Sequence, residues 1–116
     1  MNFDNNIPIY IQLVEIIKLE IISGKLLPGE KLLSVREYAI KLKVNPNTMQ
    51  KALVELENIN LIYTERTNGK YVTNDIKLIE QYKNDCAKDI LNNYFKNMDS
   101  IGISKKDAIK YIKGDM

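Results

Sequence analysis

The chain has 116 residues, 45% of them hydrophobic and 28% charged, with a formal net charge of +2. That is enough apolar material for the core of one small domain and excludes a chain disordered throughout. Histidine is absent and Cys86 is the one cysteine, so no Ser-His-Asp, Cys-His or His-based metal site can be built, nor an internal disulfide. The five glycines stand apart, so there is no phosphate loop. The acids lie scattered beside lysines in the manner of a solvated surface. Neither an enzyme nor a cofactor is expected. The N-terminal MNFDNNIP lacks the charged-then-apolar pattern of a signal peptide, and no apolar run approaches a membrane span. These features point to a cytoplasmic protein that does not engage the membrane.

Pro8 opens a first helix, with Asn5 or Asn6 available as its cap, and Gly24 stops it. Tyr10, Leu13, Val14, Ile17 and Ile21 keep helical spacing. Ile9, Ile16, Leu19 and Ile22 are apolar as well, so this helix calls for several covering neighbours. A Pro28-Gly29 turn follows. Ser34 and Glu37 form a capping box that opens a short helix burying Tyr38, Ala39 and Leu42. Four residues, Lys43 to Pro46, lead to a third helix with Asn45 as N-cap and Pro46 in its first turn.

On that third helix Met49, Ala52, Leu53, Leu56 and Ile59 form one apolar stripe. The opposite side of its first two turns carries Asn47, Thr48, Gln50 and Lys51. No acid occurs between Tyr38 and Val54, and no hydrophobic patch is expected on that face. Two short helices so closely linked, the second with amides, a hydroxyl and a lysine at its exposed start, suit a helix-turn-helix in the DNA major groove.

After Leu61 the period becomes alternating. Residues 61–66 and 70–73 are β-branched and aromatic, and Thr67-Asn68-Gly69 between them predicts a hairpin, since Asn and Gly can both take positive φ. A hairpin in this place is a wing. Its tip would carry Arg66, Asn68, Gly69 and Lys70 toward backbone or minor groove.

The spaced run Pro8-Ile9-Tyr10, Gln12-Leu13, Ile21-Ile22-Ser23-Gly24-Lys25-Leu26, Pro28-Gly29-Glu30-Lys31-Leu32, Ser34-Val35-Arg36-Glu37, Val44-Asn45, Asn47-Thr48, Lys51-Ala52 and Leu56-Glu57 resembles the GntR winged helix-turn-helix pattern over residues 8–72. The stretch Asn45 to Ala52 and the short tail resemble the YtrA branch. The sequence departs from the family at Leu33, usually proline, and at Lys43 and Asn60, usually glycine. The resemblance implies phosphate contacts from Ser34 and Arg36. It places Asn45, Asn47, Thr48, Gln50 and Lys51 on the recognition helix, and Arg66 and Gly69 on the wing. A salt bridge with a nearby carboxylate is the competing role for Arg36. It further implies a repressor of its own operon, often one encoding an ABC transporter.

The tail begins with Asn74 or Asp75 as the cap of a long helix. Ile76, Ile79, Tyr82, Cys86, Ile90 and Tyr94 form one stripe and Ala87, Leu91, Phe95 and Met98 another. Gly102 breaks it. Ser104 then opens a last helix whose apolar side is Ala108, Ile109 and Ile112. Two helices cannot cover both stripes, so a second copy is expected across Ile79, Tyr82, Ile90, Leu91, Tyr94, Phe95, Met98, Ile109 and Ile112. Cys86 reads as a small core residue.

The sequence therefore predicts a mainly α fold with a small β-hairpin, a winged helix-turn-helix over residues 1–74 followed by a two-helix dimerisation tail over 75–116. The expected function is a homodimeric, sequence-specific DNA-binding regulator of double-stranded DNA at a near-palindromic, A·T-rich operator. A winged-helix protein-interaction module without specific DNA binding is the alternative. A small-molecule sensor is disfavoured by the short tail.

Overall fold

The computed structural model describes residues 3–115. Among these, five helices and one hairpin follow in the order α1 (Ile9–Ile22), α2 (Val35–Leu42), α3 (Pro46–Asn58), β1 (Ile62–Glu65), β2 (Gly69–Val72), α4 (Ile76–Ser100) and α5 (Lys105–Lys113). The fold is mainly helical, a winged helix-turn-helix followed by two C-terminal helices. The chain divides into two compact units, one ending at Glu80 and the next beginning at Gln81, so α4 starts in the first and continues in the second.

In the first unit α3 packs against α1, α2 and β1. Leu13 and Ile17 of α1 meet Met49, Leu53 and Leu56 of α3 in a core closed by Leu61 and Val72, all wholly buried. Each such side chain stabilises the fold by about 1.5–3 kcal/mol through removal of apolar surface from water. The α3 stripe runs as its spacing predicts, except that Ile59 is half-buried and ends the helix. On α1, of the apolar residues outside the main stripe, Ile22 is buried and Ile16 half-buried, whereas Ile9, Ile11 and Leu19 stay exposed in the single chain.

The capping box is present, with Glu37 N–H donating to Ser34 Oγ at 3.1 Å and Ser34 N–H donating to Glu37 Oε1 at 3.0 Å. Asn45 Oδ1 accepts from Asn47 N–H at 2.8 Å, and Pro46 occupies the first helical position. The link between α2 and α3 is three residues, Lys43 to Asn45, because Pro46 already belongs to α3. Lys43 takes the left-handed conformation at φ 56° and Asn60 does so at φ 64°.

Neither Asn5 nor Asn6 caps α1. Pro8 itself is the capping residue, with no side-chain hydrogen bond at the helix start. The preceding turn is closed instead by Gln12, whose Nε2 donates to the Asp4 and Ile7 carbonyls and whose Oε1 accepts from Asp4 N–H. A glutamine one turn into the helix reaches back further than an asparagine outside it.

The hairpin pairs Ile62 with Val72 through Glu65 with Gly69, antiparallel. Its turn differs from expectation: Gly69 has positive φ, at 108°, but Asn68 does not. Three residues, Arg66 to Asn68, join the strands, so the Asn-Gly pair is not the two-residue turn that needs both angles positive. The wing has a third participant. Leu32 N–H donates to Lys70 O at 2.8 Å and Val72 N–H to Glu30 O at 2.9 Å, so residues 30–32 lie along the other edge of β2. At Gly29, φ 77°, a Cβ would stand 2.7 Å from Asn74 Oδ1, so a side chain there would displace the start of the tail.

Asp75, not Asn74, caps α4 by accepting from Leu78 N–H at 3.1 Å. In the second unit Gly102 turns the chain, Ser104 caps α5 through Asp107 N–H, and Tyr94 Oη donates to Ala108 O at 2.7 Å. Ala108 is wholly buried against α4.

Candidate nucleic-acid interface

The start of α2, the start of α3 and the wing supply the residues singled out in the sequence. On α3, Asn47 and Gln50 are exposed, and neither side-chain amide has a hydrogen-bond partner among the described residues. Thr48 between them is half-buried. Asn45 is exposed, but its side-chain oxygen is spent on the cap, leaving the NH₂ to donate. Lys51 is exposed, and its Nζ lies 4.0 Å from the centroid of the Tyr10 ring. The ammonium of Lys51 is thus held toward α1, its charge partly engaged by a π face.

Arg36 is exposed on α2 and takes part in none of the ion pairs among the described residues. The competing salt-bridge role is therefore not observed for it. Ser34 Oγ accepts from Glu37 N–H. Backbone and hydroxyl bonds from Ser34 hold the Glu37 carboxyl below its ordinary range, so it is anionic next to that hydroxyl. Under α2, the phenol of Tyr38 is buried and its pKa is pushed up to about 12, first by desolvation and then by Glu20, with Glu30 adding to it and the Leu33 backbone acting against it.

On the wing, Arg66 and Asn68 are exposed at the tip and Arg66 has no ion pair among the described residues. Lys70 behaves differently. Its Nζ donates to Thr64 Oγ1 at 2.8 Å and stands 3.6 Å from Glu57 Oε2, while Thr64 donates to the other Glu57 oxygen. With its side chain 17% exposed, Lys70 ties both strands of the wing to the C-terminal end of α3. A residue the sequence reading passed over, Lys31, lines a cleft of about 310 Å³ between the wing and the start of α2. Its signal was present: in an extended segment whose next residue is the apolar Leu32, Lys31 falls on the opposite face.

The span from Tyr38 to Val54 holds two exposed apolar side chains, Ile40 at 73% and Val54. Ile40 belongs to α2 and Val54 to α3. Among the described residues no group of three or more His, Cys, Asp or Glu is placed to hold a metal ion, and no helix is long and apolar enough to cross a membrane.

Of the expected dimer residues, Ile79 is buried within the single chain and Tyr82 is half-buried. Tyr94 and Phe95 pack ring to ring at 5.5 Å, and Lys105 of α5 lies over Phe95. Met98 and Ile109 are half-buried. Ile90 at 70%, Leu91, and Ile112 at 59% remain exposed. Cys86 is half-buried rather than a core residue.

The profile of bacterial regulatory proteins of the gntR family matches residues 9–72. A GntR family transcriptional regulator from Listeria monocytogenes superposes with a TM-score of 0.86 at 48% identity, covering 97% of this chain and 98% of that one. The uncharacterized HTH-type transcriptional regulator YhcF of Bacillus subtilis is 34% identical over 96% of this chain and 92% of its own. The HTH-type transcriptional repressor YtrA of Bacillus subtilis is 43% identical over 70 residues, 60% of this chain and 54% of its own.

Proposed function

The chain belongs to the GntR family of bacterial regulatory proteins, DNA-binding regulators and not enzymes, and from that premise we propose that it is a homodimeric repressor of the YtrA type. It works in the cytoplasm on a near-palindromic operator, with residues 1–74 reading DNA and residues 75–116 joining two copies. The observation that carries this reading is the pair of unpartnered amides, Asn47 and Gln50, at the exposed start of α3. Amides pair best with the N6 and N7 of adenine, so the half-sites are A·T-rich where these residues reach.

Arg36, Ser34 and Arg66 flank the helix start as backbone contacts. The YtrA assignment is supported by the match of the winged half to the YtrA repressor and by the shortness of the tail. The resemblance of residues 45–52 and of the short tail to the YtrA branch suggests its own operon as the target, one encoding an ABC transporter. Dimerisation is supported by Ile90, Leu91 and Ile112, apolar residues of the tail exposed in a single copy.

Sequencing the DNA that the purified protein retains from sheared genomic DNA tests the proposal. Enrichment of inverted repeats upstream of its own operon is the expected result. Retention with no enriched sequence would remove sequence-specific reading and leave a winged-helix protein-interaction module.

A further inference from the structure

We propose that Lys31 is the cation that meets the DNA backbone in the cleft between the wing and α2, and that Lys70 positions the wing instead; this rests on the DNA-binding reading above. Lys31 belongs to the segment paired with β2, where Leu32 is buried and Lys31 faces the other way, exposed. Its stem crosses the hairpin at Gly69, whose Cβ, if present, would stand 3.5 Å from Lys31 Cε. The cleft it lines also takes in Ser34, Glu37 and Asn68.

The two lysines differ in what a phosphate would displace. No ion pair among the described residues involves Lys31. The acid that feels its charge is Glu37, and that carboxylate already accepts from Ser34 N–H. A phosphate at Lys31 therefore gains a cation without breaking a pair. At Lys70 it would have to replace Glu57 at 3.6 Å and Thr64 at 2.8 Å, and the wing would lose its tie to α3.

The test is a salt titration by fluorescence anisotropy of a labelled random-sequence duplex of about 30 base pairs, long enough for two half-sites one helical turn apart. Backbone contacts are independent of sequence, so no operator is needed. Over about 50 to 200 mM salt, Lys31→Gln should make the slope of log K against log salt shallower by about 0.9 per protomer. Lys31→Arg should keep the wild-type slope, and Lys70→Met should leave the slope unchanged while raising hydrogen exchange at Thr64 and Arg66. Lys31 is exposed and pairs through its backbone alone, so its variants fold as the parent does, which a thermal melt verifies. An unchanged slope for Lys31→Gln, or a loss that falls on Lys70→Met instead, overturns the assignment while leaving the DNA reading intact. If the unaltered protein shows no salt-dependent binding, the DNA reading falls and this inference with it.

Discussion

Lys51 Nζ stands 4.0 Å from the centroid of the Tyr10 ring, joining the second turn of α3 to the first turn of α1. The pair is at the surface, where such a contact is worth about 0.5–1 kcal/mol. Tyr10→Leu should lower stability by that amount beyond its change in packing, and Tyr10→Phe should retain it. Chemical denaturation of Tyr10→Leu, Lys51→Met and the double variant measures the coupling. Strict additivity of the two changes would show that the cation and the ring do not interact.

Specificity is expected to lie in Gln50 and Asn47. Gln50→Ala should weaken operator binding by roughly 1–3 kcal/mol and relax preference at one position per half-site, with non-specific affinity nearly unchanged. A selection with the parent and the variant reads this directly. G·C-rich half-sites, or an unaltered sequence preference in the variant, would refute it.

Alkaline pH should unfold the protein partly through Tyr38. Its phenol has a folded pKa pushed up to about 12 from the ordinary tyrosine value of 10.0, so the folded state holds the proton more tightly than the unfolded one. The sign follows: stability is unaffected by this group below pH 10 and falls as pH rises toward 12. The full loss is on the order of 3 kcal/mol at about 1.4 kcal/mol per unit. Denaturation midpoints of Tyr38→Phe should decline less steeply across that window, and equal declines would remove Tyr38 as the cause.

Lys43 sits at φ 56° between α2 and α3, a conformation in which a Cβ crowds the carbonyl that follows. Lys43→Gly should raise stability by up to about 1 kcal/mol, reduced by the extra entropy of glycine in the unfolded chain. Lys43→Ala keeps the Cβ and should bring no such gain. Thermal melts that rank the two equally would show that the strain is relieved elsewhere.

Ile90 and Leu91 are exposed in a single copy, so charge placed there should not disturb the protomer. Ile90→Glu or Leu91→Lys should convert a dimer to a monomer in light scattering, with unchanged helical content. Because one half-site then loses the partner's effective concentration, operator affinity should drop with it. Dimers that survive both changes would locate the contact elsewhere.

What the sequence made legible was local. The capping box of Ser34 and Glu37, the Asn45-Pro46 helix start and the apolar stripe of α3 depend on neighbours within one turn, and spacing alone finds them. The left-handed Lys43 and Asn60 were legible because they stand where the family has glycine. The Lys70–Glu57 pair was not, since strand and helix meet only in the folded chain, and a lysine beside a turn reads as a free tip cation. The same limit hid the Tyr10–Lys51 contact and the seam at residues 30–32. The cap expected from Asn5 or Asn6 does not form; a longer side chain, Gln12, reaches the same turn from inside the helix. Within the candidate interface, the types of Asn47 and Gln50 were readable, whereas which lysine is free was decided by its neighbours.

The seam between residues 30–32 and β2 also sets where this chain tolerates added length. Extra residues between Arg66 and Asn68 would extend the hairpin beyond its last paired residues and leave the β1–β2 pairing and this seam in register. One residue inserted between Gly29 and Leu32 would shift the alternation by one place, turning Leu32 out to water and Lys31 into the core. Loop grafting meant to change what the wing touches therefore belongs at its tip, and the connection from α1 to α2, though it contains no helix or full strand, should be left at its present length.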